Sequence, residues 1–314
     1  MQGSSGFHGV VPRATGSEIL FEIASTLMNT AASGDEKLFA RIFLEVYESV
    51  VRDRPSSMAP LNTLRLIGEY FIENGLRGIK DYISSLVEKY NESITLAAEI
   101  AARRVSDGEA VITNSNSLTL RRLFEALSRN KTRVKVYVTE SRPGLEGLLM
   151  AEHLEKLGFE VYLIVDSAVR FFMKNINKAV LGAEAVAANG AVVSKVGTSI
   201  IALEAREARV RVFVVAPTLK FSVESIYGEL LKLPEGDWRL LMSEDERRKL
   251  PENYTALAPL YDVTPPEYID AIVTEKGLFA PQAIPVVIRE IYGSYPLMIK
   301  PFESIVSEVR RRAS

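Results

Sequence analysis

Apolar residues change their spacing once along this chain, near residue 105. Before that point they recur at helical intervals. Ile19, Leu20, Ile23, Ala24 and Leu27 share one face, and Leu38, Ile42, Phe43, Val46 and Val50 repeat the arrangement. The run Asp53-Arg54-Pro55-Ser56-Ser57 interrupts the pattern, because proline disfavours helix at the residue before it. Helical spacing resumes over residues 60–70, 75–90 and 94–104, so residues 1–105 are expected to form an all-helical domain. After it come short β-branched runs at 110–113, 134–139, 161–165, 178–182 and 210–216, with helical segments at 118–127, 145–157 and 198–208 between them. Strand, helix and strand in alternation predict an α/β domain over 106–314, built as a doubly wound, mostly parallel, Rossmann-like sheet. Past Phe221 the pattern loosens. A charge run at 243–249 reads as a solvated insertion. Thr264 caps a helical turn begun by proline, and a strand at 271–274 precedes helices at 283–292 and 302–312.

Composition narrows the function classes. The 314 residues are 47% apolar, enough for a sizeable core, and the formal net charge is −2. So even a balance gives no field for nucleic acid or for an anionic membrane surface, and no direct contact with either is expected. There is no cysteine, which removes disulfides, thiolate nucleophiles and cysteine-built metal sites together. With His8 and His153 the only histidines, no metal centre is expected, and no cofactor. The polar lead-in at 1–16 lacks the apolar block of a signal peptide, and no run reaches the roughly 20 apolar residues of a membrane span, so a cytoplasmic protein is expected.

In a doubly wound sheet ligands sit outside the carboxyl ends of the strands. The residues there are small or polar: Thr139-Glu140-Ser141-Arg142-Pro143, Asp166-Ser167, Gly182-Ala183-Glu184 and Pro217-Thr218-Leu219-Lys220. Asn114-Ser115-Asn116-Ser117 follows the first strand and opens a helix. Such a loop serves either as a plain helix cap or as an anion site, where unpaired backbone N–H groups and the helix dipole meet.

These strand ends carry a resemblance. Gly182-Ala183-Glu184-Ala185-Val186-Ala187-Ala188-Asn189-Gly190, with Ser194-Lys195-Val196-Gly197-Thr198 after it, resembles the signature of the translation initiation factor 2B alpha/beta/delta family. That family includes methylthioribose-1-phosphate isomerase and archaeal ribose-1,5-bisphosphate isomerase. Arg54-Pro55, the 139–143 segment with Gly147, Lys220-Phe221, and residues 262–269 with Thr274-Glu275-Lys276-Gly277 agree in order along nearly the whole chain. The isomerases of the family are similar in using a cysteine after the first strand of the α/β domain and an aspartate in the glycine-alanine-acid motif. Here those positions hold Ser115 and Glu184, and Ser194 stands where the isomerases carry asparagine. A thiol with a pKa of about 8.5 exchanges a proton near neutrality, whereas a hydroxyl needs a base beside it.

The resemblance implies that Arg13, Arg54, Arg142, Asn189, Ser194, Lys195, Gly197 and Lys220 bind a phosphorylated sugar or a nucleoside monophosphate. Guanidinium forks suit phosphate oxygens, although each arginine could instead pair with Glu140 or Glu184. The expected geometry puts phosphate between the domains, on Arg54 and Arg142 and on backbone N–H groups near Ser115 and Gly197. The glycine-alanine-glutamate variant resembles the regulatory alpha-type subunits, so the expectation is a regulatory pseudo-enzyme that keeps its ligand pocket. The alternative is an aldose-phosphate isomerase working through Ser115 and Glu184; a third reading is an interaction scaffold with a vestigial pocket. A homodimer or larger oligomer is expected, with Ile284, Val287 and Ile288 supplying apolar surface, and a subunit of translation initiation factor 2 is a candidate partner.

Overall fold

The computed structural model describes residues 14–228, 231–251, 253–293 and 300–313. Most of the polar lead-in, with Arg13, lies outside the described residues. Four helices come first: α1 (Gly16–Ala31), α2 (Glu36–Asp53), α3 (Met58–Asn74) and α4 (Ile79–Ala102). Thr15 and Glu18 form a capping box at the start of α1, and the Asp35 carboxylate accepts from the Leu38 N–H at the start of α2. The expected face of α1 is buried, with Leu20, Ala24 and Leu27 fully inside, whereas the buried face of α2 is shifted to Phe39, Ala40, Phe43, Leu44 and Val50 and leaves Leu38, Ile42 and Val46 half-buried.

One helix, α4, runs where two were expected. Asn91 and Glu92 are exposed and Ser93 is half-buried, so their modest helix propensities cost only a few tenths of a kcal/mol each, and neither glycine nor proline breaks the run. The continuity matters for packing. Ile79 and Ile83 belong to the helical core, whereas Ala97, Ala98, Ala101 and Ala102 pack on the sheet, so α4 ties the two layers together.

The strands are β1 (Ala110–Thr113), β2 (Lys135–Thr139), β3 (Glu160–Ile164), β4 (Lys178–Gly182), β5 (Ala185–Ala187), β6 (Val192–Lys195), β7 (Arg211–Val215), β8 (Phe221–Ser222), β9 (Glu235–Gly236), β10 (Ala258–Pro259), β11 (Tyr261–Thr264), β12 (Ala271–Thr274) and β13 (Gly277–Phe279). Among them lie α5 (Leu118–Arg129), α6 (Glu146–Lys156), α7 (Val169–Phe172), α8 (Thr198–Glu207) and α9 (Glu244–Arg247), and after them α10 (Ile284–Tyr292) and α11 (Phe302–Ala313). The main sheet has the order β13-β12-β7-β4-β1-β2-β3, parallel except for β13. Strand order reverses between β1 and β4, whose register pairs Ile112 with Ala179, so the crevice beyond these two strands is the topological switch point of the doubly wound fold.

A second sheet, β11-β6-β5-β8, was not expected. Its strands are two to four residues long, too short to display a period of their own. Thr264, expected to cap a helix, instead ends β11 and is followed by a single 3₁₀ turn over Pro266–Tyr268. The three residues expected to supply apolar surface on α10 are not at the surface: Ile284, Val287 and Ile288 are buried in the core of this chain. The last helix, α11, leaves the α/β layer and packs Ile305, Val306 and Val309 into the core formed by the first helices.

Candidate functional site

A cleft lies beyond the carboxyl ends of β1 and β4. It gathers Arg54, Ser115, Glu184, Ser194, Lys195 and Lys220 from five separate stretches of chain. The main sheet supplies the floor through the loops after β1 and β4. The second sheet brings Ser194 and Lys195 at the end of β6, with Tyr261 opposite Lys195 in register. The helical layer supplies Arg54 from the C-terminal end of α2.

The floor loops fit closely. A Cβ on Gly182 would stand 2.8 Å from Ser117 Cβ and 2.9 Å from its Oγ, so only glycine lets the loop after β1 lie against the end of β4. Within that loop Ser115 adopts φ 60°, and its N–H donates to Ser141 Oγ at 2.7 Å. Ser117 stands at the start of α5 without making a side-chain cap, and the buried Ser117 Oγ and Asn116 Oδ1 have no partner among the described residues. The unpartnered hydroxyl at a helix start can serve an anion, and the unpartnered amide oxygen calls for a donor such as a sugar hydroxyl.

Glu184 is held from the helical side. The Ser57 hydroxyl donates to Glu184 Oε2 at 2.5 Å, and the Met58 N–H donates to the Glu184 backbone carbonyl at 3.2 Å, so the start of α3 grips this residue at both ends. Lys220 reaches in from the 3₁₀ turn after β7 and donates to the Ala183 carbonyl at 2.7 Å. Burial pushes its pKa below the usual lysine range, and the nearby Glu184 carboxylate opposes that shift only in part. Burial likewise pushes the Tyr261 phenol upward, with Glu184 adding and Arg54 opposing, so it stays neutral. Arg54 is 6% exposed and its guanidinium donates to the Ala14 carbonyl at 2.7 Å, which places the start of α1 over the cavity.

Lys195 pairs with Glu146 at 2.6 Å, and both side chains are buried. Glu146 was not singled out from the sequence. It lies between Pro143 and Gly147, inside a segment whose pattern drew attention to its glycines and arginine, and its first-turn position in α6 reads equally well as a dipole-favoured acid.

Three expected residues lie away from the cavity lining. The Arg142 guanidinium donates to the Leu241 carbonyl at 2.9 Å, and the N–H groups of Ser141 and Arg142 are taken by the Asp166 carboxylate at 2.9 and 2.7 Å. Asn189 folds back in the β5–β6 turn, where its side-chain oxygen accepts from the Ala191 N–H at 3.0 Å. Gly197, at φ 96°, donates its N–H to Asp262 Oδ2 at 2.8 Å, and the Ser199 hydroxyl donates to the same oxygen at 2.7 Å. An internal carboxylate thus fills the start of α8, where phosphate was expected. Burial raises the pKa of Asp262 despite these donors. Arg13 lies outside the described residues.

A model described as the initiation factor 2 subunit family matches residues 20–281. The ribose 1,5-bisphosphate isomerase of Archaeoglobus fulgidus is 36% identical over 277 residues, covering 86% of this chain and 86% of that protein. The protein of the same name from Pyrococcus furiosus is 33% identical over 288 residues, 88% and 89% of the two chains. Among solved structures, the translation initiation factor eIF-2B of Pyrococcus horikoshii superposes with a TM-score of 0.74 at 30% identity, over 86% of this chain and 93% of that one.

Proposed function

Because this chain belongs to the initiation factor 2 subunit family, we propose that its cavity takes a phosphorylated pentose and converts it from aldose to ketose, as a ribose 1,5-bisphosphate isomerase. The reading is carried by the Glu184 carboxylate, fixed by Ser57 at the switch point beside three cationic side chains, Arg54, Lys195 and Lys220. The names of the relatives at 33–36% identity support it.

The reaction takes a proton from C2, gives one to the departing ring oxygen, and returns a proton to C1 as the enol becomes a ketone. It therefore needs a base and an acid facing one substrate. Glu184 is the base. Lys220, made more acidic by burial, is the donor to the ring oxygen, a division of labour set by environment. Arg54 and the open start of α5 hold phosphate, and the Ser115 hydroxyl lies against the sugar.

A second reading is favoured by Ser115 itself, which stands where the resemblance places the catalytic cysteine. On this reading the protein is a regulatory subunit of the initiation factor 2B type that binds the sugar phosphate or a nucleoside monophosphate without turning it over, and engages initiation factor 2 as part of a larger oligomer. The similarity to the Pyrococcus horikoshii factor supports it. Incubating purified protein with ribose 1,5-bisphosphate, with ketose formation and calorimetric binding measured together, decides between them. Turnover supports the isomerase, saturable binding without turnover supports the regulatory subunit, and absence of binding refutes both.

A further inference from the structure

We propose that Asn62 is a positioning residue for the reaction: from α3 it pins the backbone on both sides of Lys220, so that one helix fixes Lys220 relative to Glu184. The inference rests on the isomerase reading above and deepens it.

One amide nitrogen carries the observation. Asn62 Nδ2 donates to the Leu219 carbonyl at 2.8 Å and to the Phe221 carbonyl at 3.0 Å, and these are the carbonyls that flank Lys220. Asn62 is 3% exposed and stands in the second turn of its helix, although asparagine is a poor helix former. The residue type answers to its partners. Two carbonyls need two N–H groups on one atom; a hydroxyl offers one, and a lysine would bring a charge into a buried place. The opposite side of the turn is held as well. Glu275, just after β12, accepts from the Thr218 N–H at 3.0 Å and from the Thr218 hydroxyl. With the Lys220 N–H donating to the Pro217 carbonyl at 2.9 Å, the backbone from Thr218 to Phe221 has little freedom left.

The same helix holds the other reacting group. Ser57, the N-cap of α3, donates to the Glu184 carboxylate, and the Met58 N–H donates to the Glu184 carbonyl. The five-residue step from Ser57 to Asn62 is a helical rise of about 7.5 Å, a distance that a helix keeps and a loop does not. Lys220 then has only its own side-chain torsions to settle, and its amine ends on the Ala183 carbonyl, next to Glu184. An acid and a base that face one substrate need that spacing held, since an error of about 1 Å costs on the order of a hundredfold in rate. Joining the helical layer to the sheet would need one bond to any carbonyl. Two bonds, one on either side of a single residue, fix that residue.

The test compares the unmodified protein with Asn62→Leu, which keeps the bulk and removes both donors. Two quantities are read: kcat and KM for ribose 1,5-bisphosphate, and the titration of the Lys220 amine by NMR of lysine labelled at Cε, assigned with Lys220→Met. In Asn62→Leu kcat should fall about tenfold to a hundredfold while KM stays within about threefold, because phosphate is held elsewhere, by Arg54 and the start of α5. The Lys220 amine, which burial holds below the ordinary lysine range, should titrate closer to that range once the turn loosens and admits water. The charged groups around it, Asp53, Arg54, Glu146, Glu184 and Lys195 in the cavity and Glu275 at the turn, are the same in both proteins. Leu64→Ala, in the same helix but facing the helical core, is the control for a merely structural effect. It should lower the urea midpoint at least as far, leave kcat within about threefold and leave the Lys220 titration unmoved. Should Asn62→Leu fail to fold, Asn62→Ser retains one donor, and both effects should be present but smaller. A Lys220 amine that titrates identically in the variant overturns the proposal, as does an equal loss of kcat in Leu64→Ala. Absence of turnover by the unmodified protein sinks the isomerase reading alone, and the titration then decides on Asn62 by itself.

Discussion

Substituting Gly16 by alanine should separate the fold from the chemistry. Gly16 is the first residue of α1, and a Cβ built on it would stand 2.5 Å from Glu184 Oε2 and closer still to Ser57 Oγ. The backbone there needs no positive φ, so alanine is tolerated in the helix and gains a few tenths of a kcal/mol in propensity. Ordinary contact with a carbon begins near 3.4 Å. The Glu184 carboxylate therefore has to retreat by roughly 1 Å, a displacement that costs on the order of a hundredfold in rate when the group is catalytic. Because the end of a flexible side chain gives way rather than the backbone, the stability loss should stay below about 1.5 kcal/mol. The assay is kcat/KM for ribose 1,5-bisphosphate beside a urea melt. A variant with undiminished kcat/KM and an unaltered melt would falsify the placement of Glu184 at the reacting carbons. A loss of stability above about 3 kcal/mol would instead make the Gly16 contact a structural one.

Three other outcomes are expected. Burial depresses the folded-state pKa of Lys220, so between that value and the ordinary lysine value of about 10.4 the unfolded chain holds a proton that the folded one lacks, and stability should rise with pH across this window; urea midpoints at pH 7.5 and 9.5 that rise equally in Lys220→Met and the unmodified protein would refute this. Ser115→Cys combined with Glu184→Asp should raise turnover of ribose 1,5-bisphosphate if the regulatory reading holds and lower it if Glu184 is a fitted base, which ketose formation measures directly. Arg142→Ala should change sugar-phosphate affinity by no more than about twofold, because its guanidinium serves the Leu241 carbonyl; a tenfold loss by calorimetry would return Arg142 to the site.

Period carried most of the fold into view. The strands Ala110–Thr113, Lys178–Gly182 and Ala271–Thr274 fall where β-branched runs end in polar turns, and the parallel order follows from their alternation with helices. What escaped was carried by tertiary structure. Two-residue and three-residue strands such as β8 and β5 are held by their neighbours, not by a pattern of their own. The site divides along the same line. Arg54, Glu184, Lys195 and Lys220 are visible as polar residues at element ends. Glu146 takes on meaning only beside Lys195, 49 residues away. Arg142 and Gly197 lie outside the cavity lining, since a sequence shows a cation or a helix start but not the carbonyl or carboxylate bonded to it, here Leu241 and Asp262.

The manner in which Glu184 is accommodated bears on whether this site is a worn version of an aspartate site. Glutamate is one methylene longer, so placing it in a cavity shaped for aspartate would crowd the carboxylate or leave it without partners, either of which costs on the order of 1–3 kcal/mol. Neither is seen. Gly16 leaves out the side chain that would collide with it, the Ser57 hydroxyl donates to it, and Lys220 brings a compensating charge within reach. Gly16, Ser57 and Lys220 come from different elements, and each fits the longer residue. Ser115, by contrast, keeps its loop in place through its backbone N–H, and no hydrogen bond of its hydroxyl is seen among the described residues. The acid position is thus a built feature and the hydroxyl position a permissive one. On the isomerase reading the proton taken from C2 therefore goes to Glu184, and Ser115 can be exchanged without disturbing the frame around it.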